Sequence, residues 1–164
     1  MTNDRGKVAY LFPGQGAQTV GMGKDIYDSS EDAKSIFTEA DSSLAFSLSD
    51  LCFNGPEETL TQTVNTQPAI LTVSIAMLRA SQNILNQKFS QPSFVAGHSL
   101  GEYSALVASQ VLTFQEAVQL VRARGQLMQD AGDLQAGAMA AIIGMEEAVL
   151  AEICTATGVD MANL

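Results

Sequence analysis

The stretch Val95-Ala-Gly-His-Ser-Leu-Gly-Glu-Tyr-Ser-Ala-Leu106 constrains this chain more than any other. Ser93 to Ala96 is a short apolar run, long enough for a buried strand. Gly97-His98-Ser99-Leu100-Gly101 follows and matches G-x-S-x-G. Glu102 to Ser109 then reads as a helix, with Ala105, Leu106 and Ala108 supplying apolar surface. A serine on so sharp a turn needs glycine two residues to either side, so that strand and helix can approach without a Cβ clash. The first N–H groups of the helix are free and can stabilise an oxyanion. Strand, glycine-flanked serine and helix together read as a nucleophile elbow, with Ser99 as the nucleophile. The competing reading, a chance match in a loop, does not account for the flanking elements.

The chain leads up to this turn in an orderly way. Val8 to Phe12 is a continuous apolar run suited to a strand buried on both faces of a parallel sheet. It ends in the turn Pro13-Gly-Gln-Gly-Ala-Gln18, and the segment stays loop-like to Asp25. From Ser30 to Leu44, Ala33, Ile36, Phe37, Ala40 and Leu44 recur at helical spacing. Pro56-Glu-Glu58 starts a short helix. Thr66-Gln67-Pro68 opens the longest one, running towards Leu85 and apolar nearly all round, so it is expected in the core. After the elbow, Thr113-Phe-Gln-Glu116 is a capping box for a helix carrying Arg122 and Arg124. A composition break near Gly132 suggests a second subdomain, giving units 1–131 and 132–164. Within it, Ala138 to Gly144 reads as a strand, Glu146 to Ala156 as a helix, and Val159 to Leu164 as the start of another strand.

Composition excludes several classes of function. The 164 residues are enough for a core, and 46% apolar with 16% charged content is that of a globular protein. A net charge of −10 without a basic cluster argues against nucleic acid or an anionic membrane as partner. The sequence shows neither a long apolar span nor a signal-like start. Cys52 and Cys154 match no metal spacing and read as reduced thiols of a cytoplasmic protein.

Ser99 needs a base, usually a histidine oriented by a third group. His98 is the only histidine, and residues adjacent on a tight turn point in different directions. Packing or hydrogen bonding beneath the turn suits it better than catalysis. Arg124 has two readings: an exposed helix arginine paired with an acid, or a guanidinium that binds a carboxylate bidentately and selects a dicarboxylic acyl group. Gln15, in the turn after the first strand, has two as well. Its N–H is either a second oxyanion donor beside that of Leu100 or part of a plain turn.

Five segments, in order, resemble the malonyl-CoA:acyl carrier protein transacylases of fatty acid synthesis. They are Phe12-Pro-Gly-Gln-Gly-Ala-Gln18, Asn65-Thr-Gln-Pro-Ala69, Gly97-His-Ser-Leu-Gly-Glu-Tyr-Ser104, Val121-Arg-Ala-Arg-Gly-Gln-Leu-Met-Gln129 and Gly137-Ala-Met-Ala-Ala-Ile-Ile-Gly144. The resemblance implies an α/β fold: an α/β-hydrolase-like parallel-sheet core with the start of an inserted ferredoxin-like subdomain. It implies that Ser99 takes malonyl from coenzyme A as an ester and passes it to the phosphopantetheine thiol of acyl carrier protein. Gln15 and Leu100 would form the oxyanion hole, Arg124 would hold the malonyl carboxylate, and Gln67 would sit near the pocket. No cofactor beyond the coenzyme A thioester and no metal is implied.

Family members run to about twice this length, so the chain is expected to be an N-terminal portion whose absent C-terminal half supplies the catalytic histidine. It is expected to need that half, or self-association, to be soluble. An acyltransferase of polyketide synthesis, a serine hydrolase and a catalytically incomplete binding fragment are the rival readings.

Overall fold

A computed structural model describes residues 7–86, 89–135 and 137–162. The chain divides into two compact units, 1–134 and 135–164.

The first unit is built on two parallel strands, β1 (Ala9–Phe12) and β2 (Phe94–Gly97), in register from Ala9 opposite Phe94 to Phe12 opposite Gly97. Between them lie α1 (Lys24–Ser29), α2 (Glu31–Leu44), α3 (Leu48–Asn54), α4 (Glu57–Thr61) and α5 (Thr63–Leu85). After β2 come α6 (Gly101–Ala108) and α7 (Phe114–Leu134). α5 is the central helix, packed on by α2, α6 and α7. It buries Ile70, Leu71, Ile75, Ala76 and Ala80, as its apolar circumference predicts. α2 begins at Ser30, whose hydroxyl accepts from Ala33 N. The capping box of α7 is formed: Thr113 N donates to Glu116 Oε2 at 2.9 Å, and Glu116 N to Thr113 Oγ1 at 3.2 Å. The Thr113 hydroxyl, donating to Glu116 Oε2 at 2.7 Å, and then the Thr113 N–H hold the Glu116 carboxyl below its usual range.

α5 starts three residues before the expected Thr66 and contains Pro68. Proline lacks the N–H that would bond the carbonyl four residues back, here Val64. Arg122 Nη1 of α7 donates to that carbonyl at 2.9 Å and also to Asn65 Oδ1. Its guanidinium lies 4.9 Å from the Phe46 ring centroid. The polar run before Pro68 is occupied likewise: Asn65 Nδ2 donates to Thr59 O and Thr66 Oγ1 to Leu60 O, tying down the end of α4. We expect Arg122→Met to leave the Val64 carbonyl unsatisfied at a loss of about 2 kcal/mol. Thermal melting should register this as a drop of about 4–8 °C. An unchanged midpoint would show that the proline is accommodated some other way.

Two expectations about strands do not hold. β1 is not buried on both faces: Phe12 is buried, yet Leu11 is 78% exposed, as is Phe94 of β2 at 61%. An apolar run makes a strand competent for two-sided burial, but among the described residues nothing covers its second face. In the second unit, Ala138 to Gly144 is irregular and exposed, with Ile143 at 93%. A strand exists only by pairing, and no strand among the described residues offers this segment a ladder. The helix expected there is present as α8 (Glu147–Thr157), closed by Gly158 in the left-handed region. Residues 159–162 are without regular structure, and Asn163 and Leu164 lie outside the described residues. The short helices α1 and α3 were not anticipated from the sequence.

Candidate active site

Ser99 stands between β2 and α6 with φ of 51°, in the left-handed region that a non-glycine residue occupies only where its surroundings enforce it. A Cβ at Gly97 would lie 1.9 Å from the Gly101 carbonyl carbon, and one at Gly101 would lie 2.3 Å from Phe12 O. Glycine two residues either side of Ser99 is therefore a steric requirement. Gly101 N donates to His98 O at 2.8 Å and Glu102 N to Ser99 O at 3.1 Å, which tightens the turn into α6.

The loop after β1 is held against this turn. His98 N donates to Phe12 O at 3.1 Å. A Cβ on Gly14 would lie 2.7 Å from both His98 O and His98 Nδ1. Gln15 follows directly, its Nε2 donating to Thr63 Oγ1 at 3.2 Å. Among the described residues, neither Gln15 N–H nor Leu100 N–H makes a hydrogen bond. Gln15 is exposed at the turn, whereas Leu100 is fully buried. His98 is exposed and makes no hydrogen bond to Ser99 among the described residues.

Arg124 completes the cluster from α7. Its Nη1 donates to Gln67 Oε1 at 2.6 Å and its Nη2 to Ser99 Oγ at 3.1 Å. The guanidinium lies 5.8 Å from the Tyr103 ring centroid. The ion pairs found are Lys24–Asp28 and Lys34–Glu31, so Arg124 is without an acidic partner among the described residues. α7 reaches this position through Gly125, where a Cβ would meet Val64 Cα at 2.8 Å. Gln67 is fully buried, and its Nε2 lies 3.3 Å from Met128 Sδ. Ser99, Arg124 and Gln67 are thus in one chain of hydrogen bonds, with the Gln15 loop and Leu100 at the same turn.

Sequence reasoning missed Tyr103 and Met128. Met128 carries a local signal, since it lies four residues after Arg124 on α7, at the spacing that places helical side chains on one face; Tyr103 carries none, because Ser99 stands before α6. Two cavities of about 630 and 700 Å³ lie elsewhere and include none of these residues. Cys52 does not compete as a nucleophile: burial pushes its thiol up to about 12. Among the described residues no group of three or more His, Cys, Asp or Glu is placed to hold a metal ion. Nor is any helix among them long and apolar enough to cross a membrane.

Residues 9–161 match the acyl transferase domain family. A malonyl CoA-acyl carrier protein transacylase of Bacillus subtilis (strain 168) is 50% identical over 151 residues, covering 90% of this chain and 45% of that protein. The solved malonyl CoA-acyl carrier protein transacylase of Coxiella burnetii superposes with a TM-score of 0.85 at 45% identity, over 92% of this chain and 46% of that one. A malonyl-transacylase solved in complex with a type II polyketide synthase acyl-carrier protein superposes with a TM-score of 0.72 at 44% identity, over 77% of this chain and 40% of its own. The chain spans about half the length of the curated relatives it matches.

Proposed function

The chain belongs to the acyl transferase domain family, and from that premise we propose that it carries the nucleophile and the acyl selector of a malonyl transferase. One arrangement supports this most directly. Arg124, without an acidic partner among the described residues, rests one guanidinium nitrogen on Gln67 and the other on the Ser99 hydroxyl. A carboxylate taking the place of that hydroxyl on Nη2 would be bound within a few ångströms of the nucleophile. Malonyl is the dicarboxylic acyl group whose thioester carbonyl stands a single methylene from its carboxylate. Longer diacids would carry the carbonyl past Ser99.

The proposed reaction runs in two halves. Ser99 Oγ attacks the thioester carbonyl, its proton leaves through a base, and the oxyanion is held by Gln15 N–H and Leu100 N–H. The C–S bond breaks, coenzyme A departs as its thiol, and malonyl remains on Ser99 as an ester. The phosphopantetheine thiol of acyl carrier protein then attacks that ester, and Ser99 recovers its proton as the new thioester forms. His98 is the one histidine of the 164 residues and does not bond Ser99, so we assign the base to a segment or partner outside the described residues. The large unit is read as part of an α/β-hydrolase-like core and the second as the start of a ferredoxin-like subdomain. Two unpaired cysteines fit a cytoplasmic setting. The acceptor is assigned to fatty acid synthesis. A polyketide carrier protein is the alternative, favoured by the one bound to the solved transacylase of 44% identity.

A chase distinguishes transferase from hydrolase. Protein loaded with malonyl-CoA should pass the acyl group to holo-acyl carrier protein much faster than to water. Release as free malonate at a rate indifferent to the carrier thiol would favour a hydrolase instead.

A further inference from the structure

The orientation of the Gln67 amide is forced. Gln67 Oε1 accepts from Arg124 Nη1 at 2.6 Å, and a guanidinium has donors but no acceptor. The amide nitrogen must therefore face the other way, and Gln67 is fully buried, away from water. A buried amide N–H without an acceptor is destabilised. What it meets is Met128 Sδ at 3.3 Å, on α7 one turn beyond Arg124.

We propose that Met128 is a positioning residue: its thioether accepts from Gln67 Nε2, fixes the amide with Oε1 on Arg124, and thereby aims the guanidinium at the acyl carboxylate. The inference rests on the reading of Arg124 as acyl selector and extends it to a residue that touches neither the substrate nor Ser99. With Met128 Sδ removed, Gln67 Nε2 is left buried without an acceptor, and the amide that anchors Arg124 is held at one end where it was held at two.

The chemistry of sulfur explains why a thioether suits the position. It is a weak, neutral acceptor. A carboxylate at 128 would hold the Gln67 amide more firmly, but from the neighbouring turn it would also attract Arg124 and compete with the acyl carboxylate for its charge. Met128 orders Gln67 and leaves the positive charge of Arg124 uncompensated.

The test is equilibrium binding of malonyl-CoA and of acetyl-CoA to the unaltered protein, Met128→Leu and Met128→Gln, by titration calorimetry. Leucine keeps the volume and loses the acceptor, a swap that packing alone tolerates well. Glutamine restores an acceptor on a side chain of similar length. The unaltered protein should prefer malonyl-CoA. Met128→Leu should cut that preference by about 3- to 10-fold, as expected for one neutral hydrogen bond, with acetyl-CoA binding unchanged. Met128→Gln should return it to within about twofold. Full preference in Met128→Leu, or equal loss in both variants, would overturn the role of Met128 while leaving Arg124 as selector. No preference in the unaltered protein would overturn the Arg124 reading and this inference with it.

Discussion

Ser99→Ala is expected to abolish malonyl loading, a loss on the order of 10⁶-fold in rate where a complete nucleophile–base pair is present. Nothing else in the elbow offers an acyl acceptor. His98 is turned towards the Gly14 loop, and the side-chain atom hydrogen-bonded to Ser99 Oγ is a nitrogen of Arg124, which is a donor only. The substitution should leave the fold intact. The turn is enforced by Gly97 and Gly101 and by the backbone bonds around them, none of which uses the serine hydroxyl. Binding of malonyl-CoA should persist, because Arg124 and the two backbone donors remain. Loading that survives in Ser99→Ala would move the nucleophile elsewhere. Equal thermal midpoints in the two proteins exclude unfolding as the cause of a loss.

Arg124→Met should weaken malonyl loading by about 10²–10³-fold, equivalent to removing one partner of a partly buried, charge-assisted pair. Loading from acetyl-CoA should fall far less or rise, since an uncharged acyl group no longer has to leave a cation unpaired. The preference between the two thioesters, measured in competition, is therefore the informative quantity. Arg124→Lys should recover little of it, because an ammonium cannot hold Gln67 Oε1 and clasp a carboxylate with two parallel bonds at once. An Arg124→Met protein that keeps its preference for malonyl would remove the basis for the selector role.

The parts of this molecule that were legible in sequence are those whose physics is local. Gly97 and Gly101 announce the elbow because their missing Cβ atoms relieve clashes between elements adjacent in the chain. Thr113 and Glu116 announce the start of α7 because each caps the other within three residues. The meeting of Arg124 with Gln67 spans 57 positions and follows from α7 crossing the first turns of α5 at Gly125, which no periodicity records. The resemblance to a known family brought both residues to the same pocket. Their hydrogen bond, and the forced amide that reaches Met128, required coordinates.

The misreadings have a common cause. Thr66-Gln67-Pro68 reads as the opening of α5, yet the helix runs back to Thr63 because a side chain from another helix takes the carbonyl that proline leaves free. The apolar run of β1 reads as a strand buried on both faces, and residues 138–144 read as a strand. Hydrophobicity marks what a segment can bury, whereas burial and pairing depend on what lies beside it. α1 and α3 are six and seven residues long, too short for an amphipathic period to stand out.

Intact mass followed by peptide mapping, after incubation with malonyl-CoA, reads nucleophile and acyl group together. Positioned donors alone retain about 10³–10⁴-fold of catalysis when a base is missing, and the same lack slows hydrolysis of the ester, so loading should accumulate over hours. The predicted result is a single malonyl increment on the peptide containing Ser99, absent from Ser99→Ala and much weaker with acetyl-CoA at equal concentration. Malonyl on any other residue, no increment at all, or equal labelling by the two thioesters would contradict an acyl transferase built on Ser99 and Arg124.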